Sequence, residues 1–247
     1  MLKPPRILAA RLRDIESAEP GVPGPEAVHD TRVATRRLRA ALRLLRLDEL
    51  DAPVKKLQDA LGDVRDLQLQ IAWFDGRDAG LKRRHEALLG KAERVLQSAL
   101  REWHAKTLPA LRKAVAKRPK VSTRKTGKIL RKRVRRFEGR LKTALDHPSP
   151  IAFHRVRISV KQVRYLFELS RRAFPKAAKL LLAELPPLQY ALGEIHDLDA
   201  RFPLLRRRPD LLREQKEDRA RLEKIVLAQM EHWDELRIAP RARRMLG

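Results

Sequence analysis

Two segments of the 247-residue chain set a histidine and a row of cations at helical spacing. The first reads Val28-His29-Asp30-Thr31-Arg32-Val33-Ala34-Thr35-Arg36-Arg37-Leu38-Arg39. The second, 125 residues on, reads Phe153-His154-Arg155-Val156-Arg157-Ile158-Ser159-Val160-Lys161-Gln162-Val163-Arg164. At about 100° per residue, Arg36, Arg43, Arg32 and Arg39 fall roughly 20° to 80° to one side of His29, so five side chains share a narrow face. Leu38, Ala41, Leu42 and Leu45 take the opposite side and mark the core. In the second copy His154, Lys161, Arg157 and Arg164 occupy the same angles, opposite Val156, Val160, Val163, Leu166 and Phe167. Like charges at i,i+3 and i,i+4 repel by a few tenths of a kcal/mol per pair. A polyanion relieves that repulsion, because forked arginine donors match phosphate oxygens, and we read the stripe as a ligand surface. The competing reading is a surface helix whose arginines pair with neighbouring acids, with Asp59, Asp63 and Asp66, at i, i+4 and i+7, as the obvious partners.

Two roles suit His29 and His154. An imidazole with an ordinary pKa of ~6.5 gains a proton beside phosphate, or it fixes the helix entry by bonding to backbone. The acidic trio has oxygen ligands that suit a divalent cation, but its second-copy counterpart is Tyr190, Glu194 and Asp197. Pairing with the stripe arginines accounts for it better, and no metal site or cofactor is expected.

Apolar residues recur at three- and four-residue intervals between short Pro, Gly and Asp breaks, which predicts an all-α protein with helices near 7–17, 25–47, 53–75, 78–106, 108–118, 124–146, 150–172, 175–204 and 210–237. Pro25 and Pro150, each four residues before its histidine, suit the first helical position, and Ser149 is a ready N-cap. A second block follows each stripe in the same order: Leu57-Gln58-Asp59-Ala60-Leu61-Gly62-Asp63-Val64-Arg65-Asp66-Leu67 and Leu188-Gln189-Tyr190-Ala191-Leu192-Gly193-Glu194-Ile195-His196-Asp197-Leu198. The pattern reads as a duplicated helical hairpin, with the breaker-rich stretch from Lys117 to Gly127 as the connection.

The 57 Lys+Arg against 31 Asp+Glu give a net charge of +26, and 43% of the residues are hydrophobic, so the chain reads as a folded protein with a strongly basic surface. A small neutral substrate fits poorly. With no cysteine, disulfides, thiolate metal sites and cysteine nucleophiles drop out. Charges throughout the first twenty residues interrupt any signal-peptide core, and no long uncharged apolar window occurs. A soluble, cytoplasmic protein without a membrane span is expected.

The block His29-x-x-Arg32-Val33-x-x-Arg36-Arg37-Leu38-Arg39, followed by Leu57-Gln58-Asp59-x-Leu61-Gly62-x-x-Arg65-Asp66 and repeated, resembles the CHAD domain, the conserved histidine α-helical domain. The match spans nearly the whole chain. The resemblance implies one domain over 1–247 with internal repeats of approximately 1–120 and 121–247, built as two pseudo-twofold-related four-helix bundles of long antiparallel helices. It also implies a basic groove that binds inorganic polyphosphate without catalysis, and association with polyphosphate granules. Carried over by position, the binding residues are His29, Arg32, Arg36, Arg37, Arg39, Arg43, Lys55 and Lys56, with His154, Arg157, Lys161 and Arg164. The chain departs from its own pattern in the second copy. Gln162 and Glu168 stand where the first has Arg37 and Arg43, Pro186-Pro187 replace Lys55-Lys56, and Tyr190 replaces Asp59. Asymmetric binding and a proline kink are therefore expected. The Glu-x-Glu-x-Lys signature of the triphosphate-tunnel hydrolases often fused to this family is absent, which reads as a stand-alone form.

Nucleic acid is the rival polyanion, because phosphate attraction alone gives non-specific affinity. Aromatic residues are only 4% of the chain, which leaves few stacking platforms for single strands. Arg112 to Lys142 carries fifteen Lys+Arg and one acid, Glu138. This basic amphipathic run is either a solvated outer face, an extension of the polyanion track, or a contact for nucleic acid or lipid. No phosphate loop, nucleophile elbow or zinc signature suggests an enzyme.

Overall fold

A computed structural model describes residues 4–117 and 121–246. These residues are helical throughout, without a strand, and fall into two compact units that divide between Val121 and Ser122. Among them no helix is long and apolar enough to cross a membrane.

The N-terminal unit is built from α1 (Pro4–Ala18), α2 (Pro25–Leu45), α3 (Asp51–Phe74), α4 (Ala79–Glu102) and α5 (Leu108–Ala116). Helices α1 to α4 pack in succession, and α5 returns against α1. The apolar stripe of α2 is buried as its periodicity predicts, with Leu38, Ala41, Leu42 and Leu45 packed in a core that includes Ile15, Leu57, Leu61 and Phe74. Arg46, at φ 59°, ends α2 in the left-handed conformation. Gly76, at φ 73° with open space around it, turns the chain from α3 to α4. The Asp78 side chain then accepts from Leu81 N–H at 2.8 Å and caps α4. A single helix expected over 78–106 ends instead at Glu102, and Trp103–Thr107 forms one π turn before α5. Pro109 lies just beyond, and its missing N–H removes a bond that an α-helical turn would need.

The C-terminal unit holds α6 (Thr123–Asp146), α7 (Pro150–Ser170), α8 (Pro175–Arg201), α9 (Pro209–Glu235) and α10 (Ile238–Arg244). Here α6, α7, α8 and α9 pack in succession, and α9 also touches α6. Ser149 caps α7 by accepting from Ala152 N–H at 3.2 Å. Phe137 and Trp233 meet edge to face at 5.2 Å in a core shared with Phe153, Val160, Phe167 and Leu188. Helix α8 runs through Pro186 and Pro187 to Arg201, with both rings exposed, so neither proline ends it. The helix α10 was not among the expected elements. Arg237, at φ 47°, breaks the chain after α9, and Ile238, Ala239, Ala242 and Leu246 then bury themselves in this unit.

Candidate functional site

Both histidine-and-cation stripes lie on one helix, α2 in the first unit and α7 in the second, and both are half-buried beside the helix that follows. On α2 the stripe divides into an anchored end and an open end. Arg39 donates through Nε and Nη2 to the two oxygens of Asp51 at 2.8 and 2.9 Å, and through Nη1 to Gln58 Oε1 at 3.2 Å. Arg43 donates to the same carboxylate at 2.9 Å. Arg39 is only 11% exposed and Asp51 19%. Burial opposes ionisation of Asp51, but the hydrogen bonds from Arg39 and Arg43 outweigh it and hold the carboxyl below its usual range.

Toward the start of α2, Arg32 lies across α3 at Gly62, where an added Cβ would sit 3.6 Å from its Nε. Its Nη2 is 3.7 Å from Asp66 Oδ1. Arg36 forms no ion pair among the described residues and is half-buried. His29 is exposed. Its pKa is lowered, by burial of the ring first and then by the Arg65 charge, so the ring is neutral at pH 7. Arg37 stands roughly 100° round from Arg36. Its counterpart Gln162 accepts from Arg133 of α6 at 3.2 Å, which turns that helix position toward the preceding helix and away from the stripe. Lys55 pairs with Asp59 and Lys56 with Glu102, so neither lysine offers a bare charge.

In the second unit the cation row lies on α7. Arg164 donates to Gln189 at 3.2 Å, as Arg39 does to Gln58 at the equivalent positions. Its carboxylate partner is Glu168, at 3.0 Å on the same helix. Glu168 occupies the position of Arg43, so a residue that reads in the sequence as a lost cation is the counter-ion of the anchored arginine. His154 faces His196, with Nδ1 atoms 3.3 Å apart and ring centroids 4.9 Å apart. His196 stands at the position of Arg65. The His154 pKa is lowered by burial, then by Arg157 and Lys161, and these two half-buried cations complete the stripe.

The acidic trio of α3 plays a smaller part than its spacing suggested. Asp66 meets Arg32, and Asp59 meets Lys55. The Asp63 carboxyl is pushed up by burial and by the charges of Asp66 and Asp59, against the pull of Arg32. Among the described residues no group of three or more His, Asp or Glu is placed to hold a metal ion. The principal acid of the first stripe is Asp51, which sequence reasoning missed. Its signal was its place in the first turn of α3, where the helix dipole favours an anion.

The molecule is thus an all-α protein in which each of two helical units presents a histidine and a cation row along one helix. The CHAD domain family model matches residues 6–206, and the chain belongs to that family. Among solved structures, the crystal structure of the CHAD domain from the plant Ricinus communis aligns with a TM-score of 0.69 over 92% of this chain and 90% of that one. At 21% identity the likeness speaks to the fold. No curated protein matches the chain.

Proposed function

We propose that this protein binds inorganic polyphosphate without catalysis, through the stripes of α2 and α7, and so associates with polyphosphate granules. The observation that carries this reading is the paired stripe itself: His29, Arg32 and Arg36 in one unit, His154, Arg157 and Lys161 in the other, each on the narrow flank of a helix whose opposite flank is buried core. Arg39 and Arg164 are fixed by carboxylate and glutamine partners, which holds the helix pair in register around the cations that meet ligand. Neither α2 nor α7 exposes an aromatic ring and α8 exposes one, Tyr190, whereas single-stranded nucleic acid binds best where successive bases can stack. A phosphate chain carries the charge without bases.

The test is a competition at physiological salt in which long-chain polyphosphate, single- and double-stranded nucleic acid, and heparin displace one another at equal anionic charge. Polyphosphate should win. Equal affinities would reduce the stripes to generic charge attraction.

A further inference from the structure

The outward face of α6 is a second concentration of cations, unlike the stripes in one respect. Lys125, Lys128, Lys132, Arg135, Arg136 and Lys142 are all exposed, and none forms an ion pair among the described residues. Counted from Lys128, they fall within roughly −40° to +80° round the helix, opposite Leu130, Val134, Phe137 and Leu141, which are buried. Glu138 is removed from this face by its pairing with Arg243, and the remaining acid is Asp146 at the last residue. The band extends about 25 Å along the helix at 1.5 Å per residue.

Three features choose among occupants. No large apolar side chain of α6 is exposed, since its apolar flank is spent on the core, so the face has nothing to insert into a bilayer. It presents no aromatic platform for the bases of a single strand. It is also one narrow convex band, along which a single phosphate chain keeps most of its charges within reach, whereas a wide duplex touching it would turn most of its phosphates away.

This band is separate from the stripe of its own unit. On α7 the stripe side faces α8, through Arg164 to Gln189 and His154 to His196. Helix α6 packs on the other flank, where Arg140 donates to Ser159 Oγ at 2.7 Å and Arg133 donates to Gln162. Helix α7 packs between α6 and α8. We propose that the α6 face is a second phosphate-chain surface, so that the C-terminal unit grips two polyphosphate segments at once and cross-links separate chains. This rests on the polyphosphate reading of the stripes and adds a third surface to the two of α2 and α7, so that each molecule holds more chain segments and cross-links more of them.

The experiment compares the full chain with three fourfold variants: Lys128→Gln/Lys132→Gln/Arg135→Gln/Arg136→Gln on α6, Arg83→Gln/Arg84→Gln/Lys91→Gln/Arg94→Gln on α4 as an equal-charge control, and Arg32→Gln/Arg36→Gln/Arg157→Gln/Lys161→Gln on the stripes. Short polyphosphate is titrated to count bound chains, and light scattering with long-chain polyphosphate reads cross-linking. Thermal melting confirms that each variant is folded. The α6 variant should bind one short chain fewer per molecule and scatter measurably less than the parent, while the α4 control behaves as the parent. Parent-like scattering from the α6 variant, losses matched by the control, or duplex nucleic acid displacing polyphosphate from the α6 face alone would overturn the inference. A stripe variant that keeps all its short-chain binding would instead overturn the stripe reading and leave the α6 result standing.

Discussion

Replacing Asp51 by Asn should lower stability and raise polyphosphate affinity together. The carboxylate accepts three hydrogen bonds, two from Arg39 and one from Arg43. Charge-assisted bonds of this kind contribute roughly 1.5–3 kcal/mol singly and are not additive. An asparagine keeps one acceptor, and Arg43 is already 35% exposed and screened, so the net cost is about 2 kcal/mol. For a unit of this size, which loses roughly 0.25 kcal/mol of stability per degree near its midpoint, that lowers Tm by about 8 °C. The pH dependence follows from the sign of the shift. The Asp51 carboxyl is depressed in the folded state, so its contribution is complete above the unfolded value near ~3.9 and fades as pH falls through the lower folded value. Parent and variant melts should therefore differ most at neutral pH and converge below about pH 4. In the same variant two guanidinium groups lose their internal anion, and a stripe that binds phosphate should bind several-fold more tightly. Calorimetric melts across pH and a polyphosphate titration read both effects. An unchanged Tm would show that Asp51 does not hold the cluster, and weaker binding would show that the arginines need their carboxylate to meet ligand.

Acidification from about pH 7.5 to 5.5 should tighten polyphosphate binding by a few-fold, because His29 and His154 are neutral at pH 7 in the free protein and gain charge beside phosphate; the double variant His29→Gln/His154→Gln should flatten that profile in a binding isotherm series. Without ligand the sign reverses: both folded pKa values lie below the ordinary one, so the stability these rings contribute is present above about pH 6.5 and declines as pH falls through the folded values, which melts of the double variant would fail to reproduce. Gly62→Ala should stabilise the protein by up to about 1 kcal/mol in denaturant titrations, since the added Cβ would make ordinary contact with Arg32, whereas Gly62→Leu should displace Arg32 and weaken binding. Ser149→Ala should cost about 1 kcal/mol through loss of the α7 cap.

The helices and their buried flanks were legible because 3.6-residue periodicity reports directly on a core, and the capping and first-turn signals at Ser149 and Pro150 work within a few residues. What escaped depended on partners distant along the chain. Asp51 is twelve residues from Arg39, and its one local signal, a place in the first turn of α3, does not name its partner, whereas the helical spacing of Asp59, Asp63 and Asp66 made them the obvious candidates. Glu168 was legible as a departure from the first copy but not as a counter-ion, because a repeat compares positions and does not show which side chains meet. Helix α10 escaped for a different reason: its seven residues are too short for a periodic signal, and its burial is set by α6 and α8. The stripe itself reads correctly as a face, yet the division between Arg39 and Arg43, which are anchored, and Arg36, which is not, exists only once α3 is packed alongside.

The same pairings change the expected difference between the two stripes. By cations alone the second copy loses Arg37, Arg43, Lys55 and Lys56, which implies a much weaker surface. In the folded protein Lys55 is matched by Asp59, and both are replaced together by Pro186 and Tyr190; Lys56 is matched by Glu102. Arg37 stands roughly 100° round the helix from Arg36, off the stripe. Arg43 and Asp51 share an ion pair, where the second copy has Glu168 on Arg164. The departures therefore remove acids along with bases, and the stripes differ by about one net charge. A single half-exposed charge changes binding by at most ~1 kcal/mol, roughly fivefold. Reversing Arg32 and Arg36 to Glu should then weaken polyphosphate binding within about tenfold of the loss caused by reversing Arg157 and Lys161, with the first pair the more damaging. Isothermal titration of the two double variants against the same short polyphosphate measures the ratio. A hundredfold gap would mean that Lys55 and Lys56 leave their acids to meet the ligand, and that the ion pairs seen in the free protein are switched on binding.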